Sequence, residues 1–261
     1  WRSMLDNLRM GQAEIQVHPD ARRRGVGTAL LREIATELAA DDRTILLAEV
    51  DAGGPGDEFA RVAGGRVVET DRLSLLRLAD VDWADVEAAA AAPHPGYRLV
   101  PVTGRVPDDL IGSYAKAKAA MNDAPHGAMD LEAFTFDEQR VRAEEASQLR
   151  RGEVRVTFAV HEAGGEVAGF TETGVGRAPE RAHQLDTAVV PAHRGAGLGL
   201  WIKSEMLLRL RADRPDVTEV LTGNATSNRH MLAINDRLGF RPWREINGWQ
   251  ADVGEVLSRL G

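Results

Sequence analysis

Two short segments of this 261-residue chain carry the same chemistry. His193-Arg194-Gly195-Ala196-Gly197-Leu198-Gly199 follows an apolar run closed by Val190-Pro191 and precedes a helix-like stretch. Arg22-Arg23-Arg24-Gly25-Val26-Gly27 follows Ile15-Gln16-Val17-His18-Pro19 and precedes another. An R-x-x-G-x-G segment between a strand and a helix is suited to receive an anion. Its glycines let the backbone turn tightly and approach a ligand closely, and the helix start adds unpaired N–H groups and the positive end of a dipole. Neither copy has the G-x-x-x-x-G-K-[ST] pattern of a nucleotide-triphosphate loop. A dinucleotide fingerprint fails as well, because its third glycine would fall on Leu200 or Ile202.

The elements that hold these loops repeat too. In the first half, 12–18 alternates like a strand, and 25–40 has helical periodicity with Val26, Ala29, Leu30, Ile34 and Leu38 on one face. The run 44–50 reads as a buried strand, 58–63 as a short helix stopped by Gly64-Gly65, and 67–68 and 73–78 as two closing strands. After an Ala-rich helix at 82–92, Pro93-His94-Pro95-Gly96 breaks the chain and divides it into units 1–92 and 96–261. The second unit reads as strand 97–102, helix 107–121, polar loop 122–130, helix 136–150, and a hairpin of 154–160 with 166–175. Strand 182–190, helix 200–212, strand 217–222, helix 228–237 and late strands around Trp243 and Trp249 complete it. The order β-α-α-β-β-β-α-β-α-β makes this an α/β chain with a mixed sheet. The strand, Arg-Gly loop, helix and strand of this unit also occur in the first.

Composition limits the function classes. The chain has no cysteine, which excludes disulfides, thiolate metal sites and Cys nucleophiles. A net charge of −8 argues against general nucleic-acid binding and is read as ordinary solubility charge. No run approaches the ~18 apolar residues that span a membrane, and the start has no signal-peptide pattern. A cytoplasmic location is therefore expected, with no membrane partner. The seven histidines show no metal-ligand spacing, so no metal is expected. The chain starts at Trp1 rather than Met, and its first loop comes too early for a preceding sheet. The first unit is read as truncated.

Leu185–Leu200, Leu221–Ala225 and Asn228-x-x-Met231-x-x-Ile234-Asn235-x-x-Leu238-Gly239-Phe240 together resemble the GNAT superfamily of acyl-CoA-dependent N-acetyltransferases. The resemblance covers 96–249 as one whole domain and 12–78 as the later part of another, a tandem plan similar to that of mycothiol synthases. It implies an acetyl-CoA co-substrate and direct acetyl transfer to a primary amine. The amides of Arg194, Gly195, Ala196, Gly197, Leu198 and Gly199 would meet the pyrophosphate. The pantetheine arm would bond to the amides of Val189 and Val190 where that strand splays from the next. Asn228 matches a position that contacts the cofactor, or is simply a helix N-cap. Lys203 could add charge, although a surface position is expected for it.

An amine must lose a proton before it attacks a thioester. The candidates for the base are His183, Asp186 and Glu172. Asp186 would face away from His183 on a regular strand, and a bulge would turn it back. The superfamily's usual acid is a Tyr in the place held here by Asn235, which cannot donate as an acid, and His230 is read as a surface residue. Loop 122–132 would line the acceptor cleft, with Asp123 and Asp130 suited to a small cationic amine. The first unit keeps Val17, Arg22, Gly25 and Gly27 as a possible second cofactor site. It lacks the late Asn and Tyr and has Glu14 in the place of Asp186, so it is read as non-catalytic. A CoA-binding pseudoenzyme and a protein N-acetyltransferase are the competing functions. The chain is a monomer or a homodimer, since oligomeric state is not legible.

Overall fold

The computed structural model describes residues 5–261. The first half runs β1 (Met10–Gln12), α1 (Val26–Ala40), β2 (Ile45–Asp51), α2 (Pro55–Val62), β3 (Arg66–Arg77) and α3 (Trp83–Ala91). The second runs β4 (Tyr97–Thr103), α4 (Asp108–Lys118), α5 (Glu138–Leu149), β5 (Glu153–His161), β6 (Val167–Val175) and β7 (Arg181–Val189). It continues through α6 (Leu198–Asp213), β8 (Glu219–Ala225), α7 (Arg229–Arg237), β9 (Arg241–Asp252) and α8 (Val253–Leu260). Among the described residues, these strands form one mixed nine-stranded sheet in the order β1-β2-β9-β3-β8-β7-β6-β5-β4. No helix among them is long and apolar enough to cross a membrane.

Alternation along β5 sets the layers. Val156 and Phe158 join Phe170, Tyr114 and Val141 under α4 and α5, while the next residue, Ala159, packs with Ala168, Leu198, Trp201 and Ile202 of the α6 side. Phe158 and Phe170 have no exposed surface, and each contributes up to ~3 kcal/mol of burial. Tyr114 meets both edge-on, with ring centroids at 4.9 and 5.1 Å.

The end of each half crosses into the other. β9 lies between β2 and β3, and β3 lies between β9 and β8. The helix after each strand follows it. α3 packs on α6, where Trp201 Nε1 donates to the Ala90 carbonyl at 2.8 Å. α8 packs on α1, where Val253 and Val256 join Leu31, Ala35 and Leu38.

Several expected elements are adjusted. β1 stops at Gln12 rather than running on to His18, because its neighbour β2 leaves it after Leu47. The two closing strands expected at 67–68 and 73–78 are one strand, β3, bent by bulges at Val67/Glu69 and Leu73/Ser74. Trp243 and Trp249 share β9, and the terminal α8 was not expected. The 124–132 loop lies across the sheet. Ala128 N donates to the Val68 carbonyl at 2.8 Å, and a Cβ on Gly127 would sit 2.0 Å from that oxygen, so only glycine fits there.

Candidate active site

The two Arg-Gly loops have one backbone. Pro191–His193 forms a single 3-10 turn, as does Pro19–Ala21. Arg194 Nε donates to the Val189 carbonyl at 3.0 Å, and Arg22 Nε donates to the Val17 carbonyl at 3.0 Å. Gly197 at φ 75° and Gly25 at φ 80° are the left-handed residues that open α6 and α1, a conformation that costs a residue with a Cβ about 1 kcal/mol or more. The amides of Gly195 through Gly199 donate to no backbone carbonyl among the described residues. They are left to the solvent or to an anion at the helix start. The loops differ at one position, where Arg23 takes the left-handed conformation that Gly195 has in the second loop.

Beside the second loop the sheet opens. β7 pairs in parallel with β8 only at Arg181↔Glu219, Ala182↔Val220 and His183↔Leu221. Beyond His183 the two strands part. On its other edge β7 stays paired with β6, Gly169↔Val189 and Phe170↔Ala188. Val190 N donates to the Ala168 carbonyl at 2.9 Å. In an antiparallel ladder that bond turns the N–H and C=O of the preceding residue, Val189, the other way, toward β8. Val190 therefore does not offer its amide as the sequence reading expected, whereas Val189 points its own into the gap.

The expected bulge is present. Thr171 pairs with Thr187 but Thr173 with Gln184, so β7 carries an extra residue opposite Glu172. The Gln184 side chain takes up the slack, donating to the Glu172 carbonyl at 2.5 Å and to Thr171 Oγ1 at 2.9 Å. Asp186 is thereby brought to the face of Glu172, and His183, opposite Gly174, shares that face further along. Lys118, at the end of α4, ties the carboxylates together. Its Nζ lies 2.9 Å from Asp186 Oδ2, 3.3 Å from Glu172 Oε2 and 3.8 Å from Glu144 Oε2. The Tyr114 hydroxyl donates to Glu172 Oε1. Lys118 and Glu172 are buried, and the Asp186 side chain is 42% exposed.

Burial raises the Glu172 pKa, Lys118 opposes this, and Asp186 adds to it, leaving the carboxyl above its usual range. Burial alone would depress the Lys118 ammonium, but Glu172 and Asp186 outweigh it and hold its pKa above the ordinary value. Burial and the adjacent Glu172 push the Tyr114 phenol well above its ordinary value. His183 is exposed by surface area, yet partial desolvation, helped by Arg181, lowers its pKa. The imidazole is thus neutral at pH 7.

Other expected site residues are already engaged. Asp123 holds Arg194 at 2.6 Å, and Asp130 pairs with Arg9 at 3.3 Å while its N–H donates to Gln250 Oε1. These carboxylates anchor loop 122–132 rather than standing free for a cation. Asn228 caps α7, accepting from Met231 N at 3.2 Å. Asn235 is fully buried and donates through Nδ2 to Asn224 Oδ1 at 2.7 Å. Lys203, expected on the surface, is 2% exposed.

One contribution was illegible in the sequence. His94, in the segment read only as a linker, stacks on Trp201 at 4.3 Å, and its Nδ1–H donates to the Ala196 carbonyl at 2.9 Å. It props the second loop from outside. A hollow of ≈ 220 Å³ opens beside it, with Gly197, Leu200, Trp201 and Arg237 on its walls. Nothing in a Pro-His-Pro-Gly string signals such a contact, which depends on α3 crossing to α6.

No protein-family model and no curated protein matches the chain. Solved structures do. A tandem GNAT protein from the clavulanic acid biosynthesis pathway is 29% identical and has a TM-score of 0.76, the match covering 94% of this chain and 75% of that one. A GCN5-related N-acetyltransferase from Sphaerobacter thermophilus is 16% identical with a TM-score of 0.62, covering 91% and 71%. One from Kribbella flavida is 16% identical with a TM-score of 0.55, covering 86% and 74%. The chain has the fold of these GNAT proteins, and the likenesses support an acetyltransferase.

Proposed function

We propose that this chain transfers the acetyl group of acetyl-CoA directly to a primary amine of a small cationic molecule. The observation that carries the reading is the parting of β7 from β8 after His183, beside a loop whose amides have no acceptor of their own. The pyrophosphate lies on the amides of 195–199 at the start of α6, where helix and loop supply partial positive charge. The nucleotide end lies toward the hollow at Trp201 and Arg237. The pantetheine arm runs into the gap and bonds to Val189, which carries the thioester toward the bulge at Asp186.

The acceptor approaches on the face of β6 and β7 that bears the carboxylates. Glu144 is also paired with Arg140 at 3.0 Å, which leaves Glu172 and Asp186 outnumbering Lys118 there, so the pocket favours a cation. Half-exposed Asp186 draws in the ammonium. Glu172, Lys118 and Tyr114 hold it in place. His183, neutral at pH 7, takes the proton that the amine must lose. The nitrogen then attacks the carbonyl carbon, and outward strand amides stabilise the oxyanion. Loop 122–132, pinned over β3 and β9, narrows the approach and supports a small acceptor rather than a protein segment.

In this reading the units 1–92 and 96–261 form a tandem pair that exchanges end strands, with the catalytic groups in the second. A cofactor-binding protein without turnover is the alternative favoured by Asn235, which cannot act as an acid. Thiol release from acetyl-CoA over a panel of di- and polyamines separates the two. Turnover that falls at least tenfold in His183→Ala, with a rise in KM for diamines in Asp186→Asn, supports the reading. Binding of acetyl-CoA with no turnover across the panel sinks it in favour of the alternative.

A further inference from the structure

Lys203 has a position that packing does not explain. It is 2% exposed, and among the described residues no carboxylate comes within ion-pair distance. Its Nζ lies over the Phe240 ring, 5.6 Å from the centroid. Burying an unpaired ammonium is costly. The equivalent stretch shows that the fold does not require it. With Arg22 matching Arg194, Gly25 matching Gly197 and Gly27 matching Gly199, Lys203 falls in step with Leu31. Leu31 is 5% exposed and packs between its helix and sheet without difficulty.

The side chain faces the gap. One turn before it on the same face of α6, a Cβ on Gly199 would lie 3.9 Å from Val189 Cγ2 and 3.2 Å from Ile234 Cδ1. That face therefore looks between the gap edge of β7 and helix α7. α6 runs back along β7, since Leu207 packs with Ala182 at the closed end. Four residues rise ~6 Å, which sets Lys203 between the level of Val189 and the point where the strands meet. Next to it, Asn235 uses its carbonyl to hold Phe240 N at 3.0 Å. The Asn235 Oδ1 is buried without a partner. A cation and a free amide oxygen thus lie on the α6–α7 side of the gap, while the carboxylates lie on the α4 side.

We propose that Lys203 is a catalytic residue that receives the leaving sulfur, neutralising the CoA thiolate and giving it a proton. The inference rests on the acetyl-transfer reading above. When the tetrahedral intermediate collapses, the C–S bond breaks and its electron pair goes to sulfur, while the new amide nitrogen gives up its extra proton to water. One proton passes from Lys203 Nζ to that sulfur, giving free CoA thiol and a neutral amine, which regains its proton from water. Burial brings the Lys203 pKa down to about 7. A thiol is near 8.5, so the transfer is favourable roughly thirtyfold, whereas an ordinary lysine near 10.4 would make it unfavourable by about a hundredfold. The Tyr missing at Asn235 is replaced from the neighbouring helix.

Lys203→Met is tested with two acetyl donors, acetyl-CoA and the acetyl thioester of thionitrobenzoate, whose thiolate leaves without a proton. The acceptor is the polyamine that the unsubstituted chain uses best. The expected result is a loss in kcat of about 10²-fold or more with acetyl-CoA, an acetyl-CoA Kd unchanged by calorimetry, and little loss with the thionitrobenzoate ester. Equal loss with both donors, or no loss with either, overturns the proposal. If Lys203→Met does not fold, Lys203→Arg keeps the charge but cannot give up its proton, and the same donor-selective loss is expected. If the unsubstituted chain turns over no amine, the parent reading fails. The proposal is then judged on bound CoA alone: its thiol should be alkylated by iodoacetamide at lower pH than free CoA, and this shift should vanish in Lys203→Met. Its persistence refutes the role.

Discussion

Removing the ammonium of Lys118 should make stability fall with rising pH more steeply than it does in the unsubstituted chain. In Lys118→Met, Glu172 is left buried beside Asp186 and Glu144 with no cation. Breaking a buried pair from one side costs ~3–5 kcal/mol when the remaining charge must stay ionised. Glu172 can escape that cost by binding a proton. Its pKa is already raised by burial and Asp186 and is held down only by Lys118 and hydrogen bonds. Without Lys118 it moves further up, because burial and Asp186 then meet less opposition. The unfolded chain releases that proton near 4.3, so between the two values the folded state holds one proton more. Stability then falls as pH rises, by at most about 1.4 kcal/mol per pH unit. Urea unfolding at pH 5.5 and 8.0 should find the variant mildly destabilised at the lower pH and up to ~3 kcal/mol worse at the higher. Adding Glu172→Gln should flatten the dependence and recover part of the loss. A pH-independent loss, or a deeper one in the double variant, would show that Lys118 acts by packing and not by charge.

Asp71, crowded by burial and then by Glu69 and Glu49, has its pKa pushed up to about 6. A raised carboxyl pKa means stability is lost as pH climbs from about 4 toward 6. With discount for its partial exposure, Asp71→Asn should stabilise the chain by ~1 kcal/mol at pH 7.5 and by nothing at pH 4, read by thermal melting. Because β3 and β9 each lie within the other half's sheet, urea unfolding should be a single transition by both tryptophan fluorescence and far-ultraviolet dichroism; two separated transitions would contradict coupling through the exchanged strands. Arg194→Ala should weaken acetyl-CoA binding tenfold or more by calorimetry while changing stability by less than ~1 kcal/mol, since its pair with Asp123 is half exposed. Arg22→Ala should leave turnover intact, and a turnover loss equal to that of Arg194→Ala would place chemistry at the first loop.

What the sequence disclosed followed from local rules. R-x-x-G-x-G announced two glycine-opened helix starts because left-handed backbone has so few alternatives, and Gly25 and Gly197 adopt it. The carboxylates of β6 and β7 could be named as a group, but whether Asp186 faced Glu172 depended on one extra residue in a ladder, which alternation cannot fix. Lys203 was misjudged because lysine on a helix usually seeks water, and only the packing of α6 against α7 and the parted strands shows otherwise. The roles of Asp123 and Asp130 were hidden for a different reason. Their partners, Arg194 and Arg9, lie far off in the chain, and no periodicity reports such a pair. The crossing of β3 and β9 is likewise a matter of distant pairing.

The two loops share a backbone but not the side chains around it. Both present the same arginine bond to a strand carbonyl and the same left-handed glycine, so the geometry suited to an anion recurs in both places. The proton-handling groups do not recur with it. The two ladders put Gln12 where His183 stands: Gln12 faces Leu47 as His183 faces Leu221, and both residues are exposed. Lys203 falls in step with Leu31, and Asn235, whose carbonyl accepts from the residue after left-handed Gly239, matches Ala60, whose carbonyl accepts from the residue after left-handed Gly64. Arg23 meanwhile carries backbone strain that Gly195 relieves in the other loop. A position that tolerates leucine needs no titratable group for folding. Its ionisable counterpart therefore bears a desolvation cost that packing does not repay. That cost falls at Lys203, which is 2% exposed, and not at exposed His183, so the buried cation of α6 is the feature that folding alone does not account for.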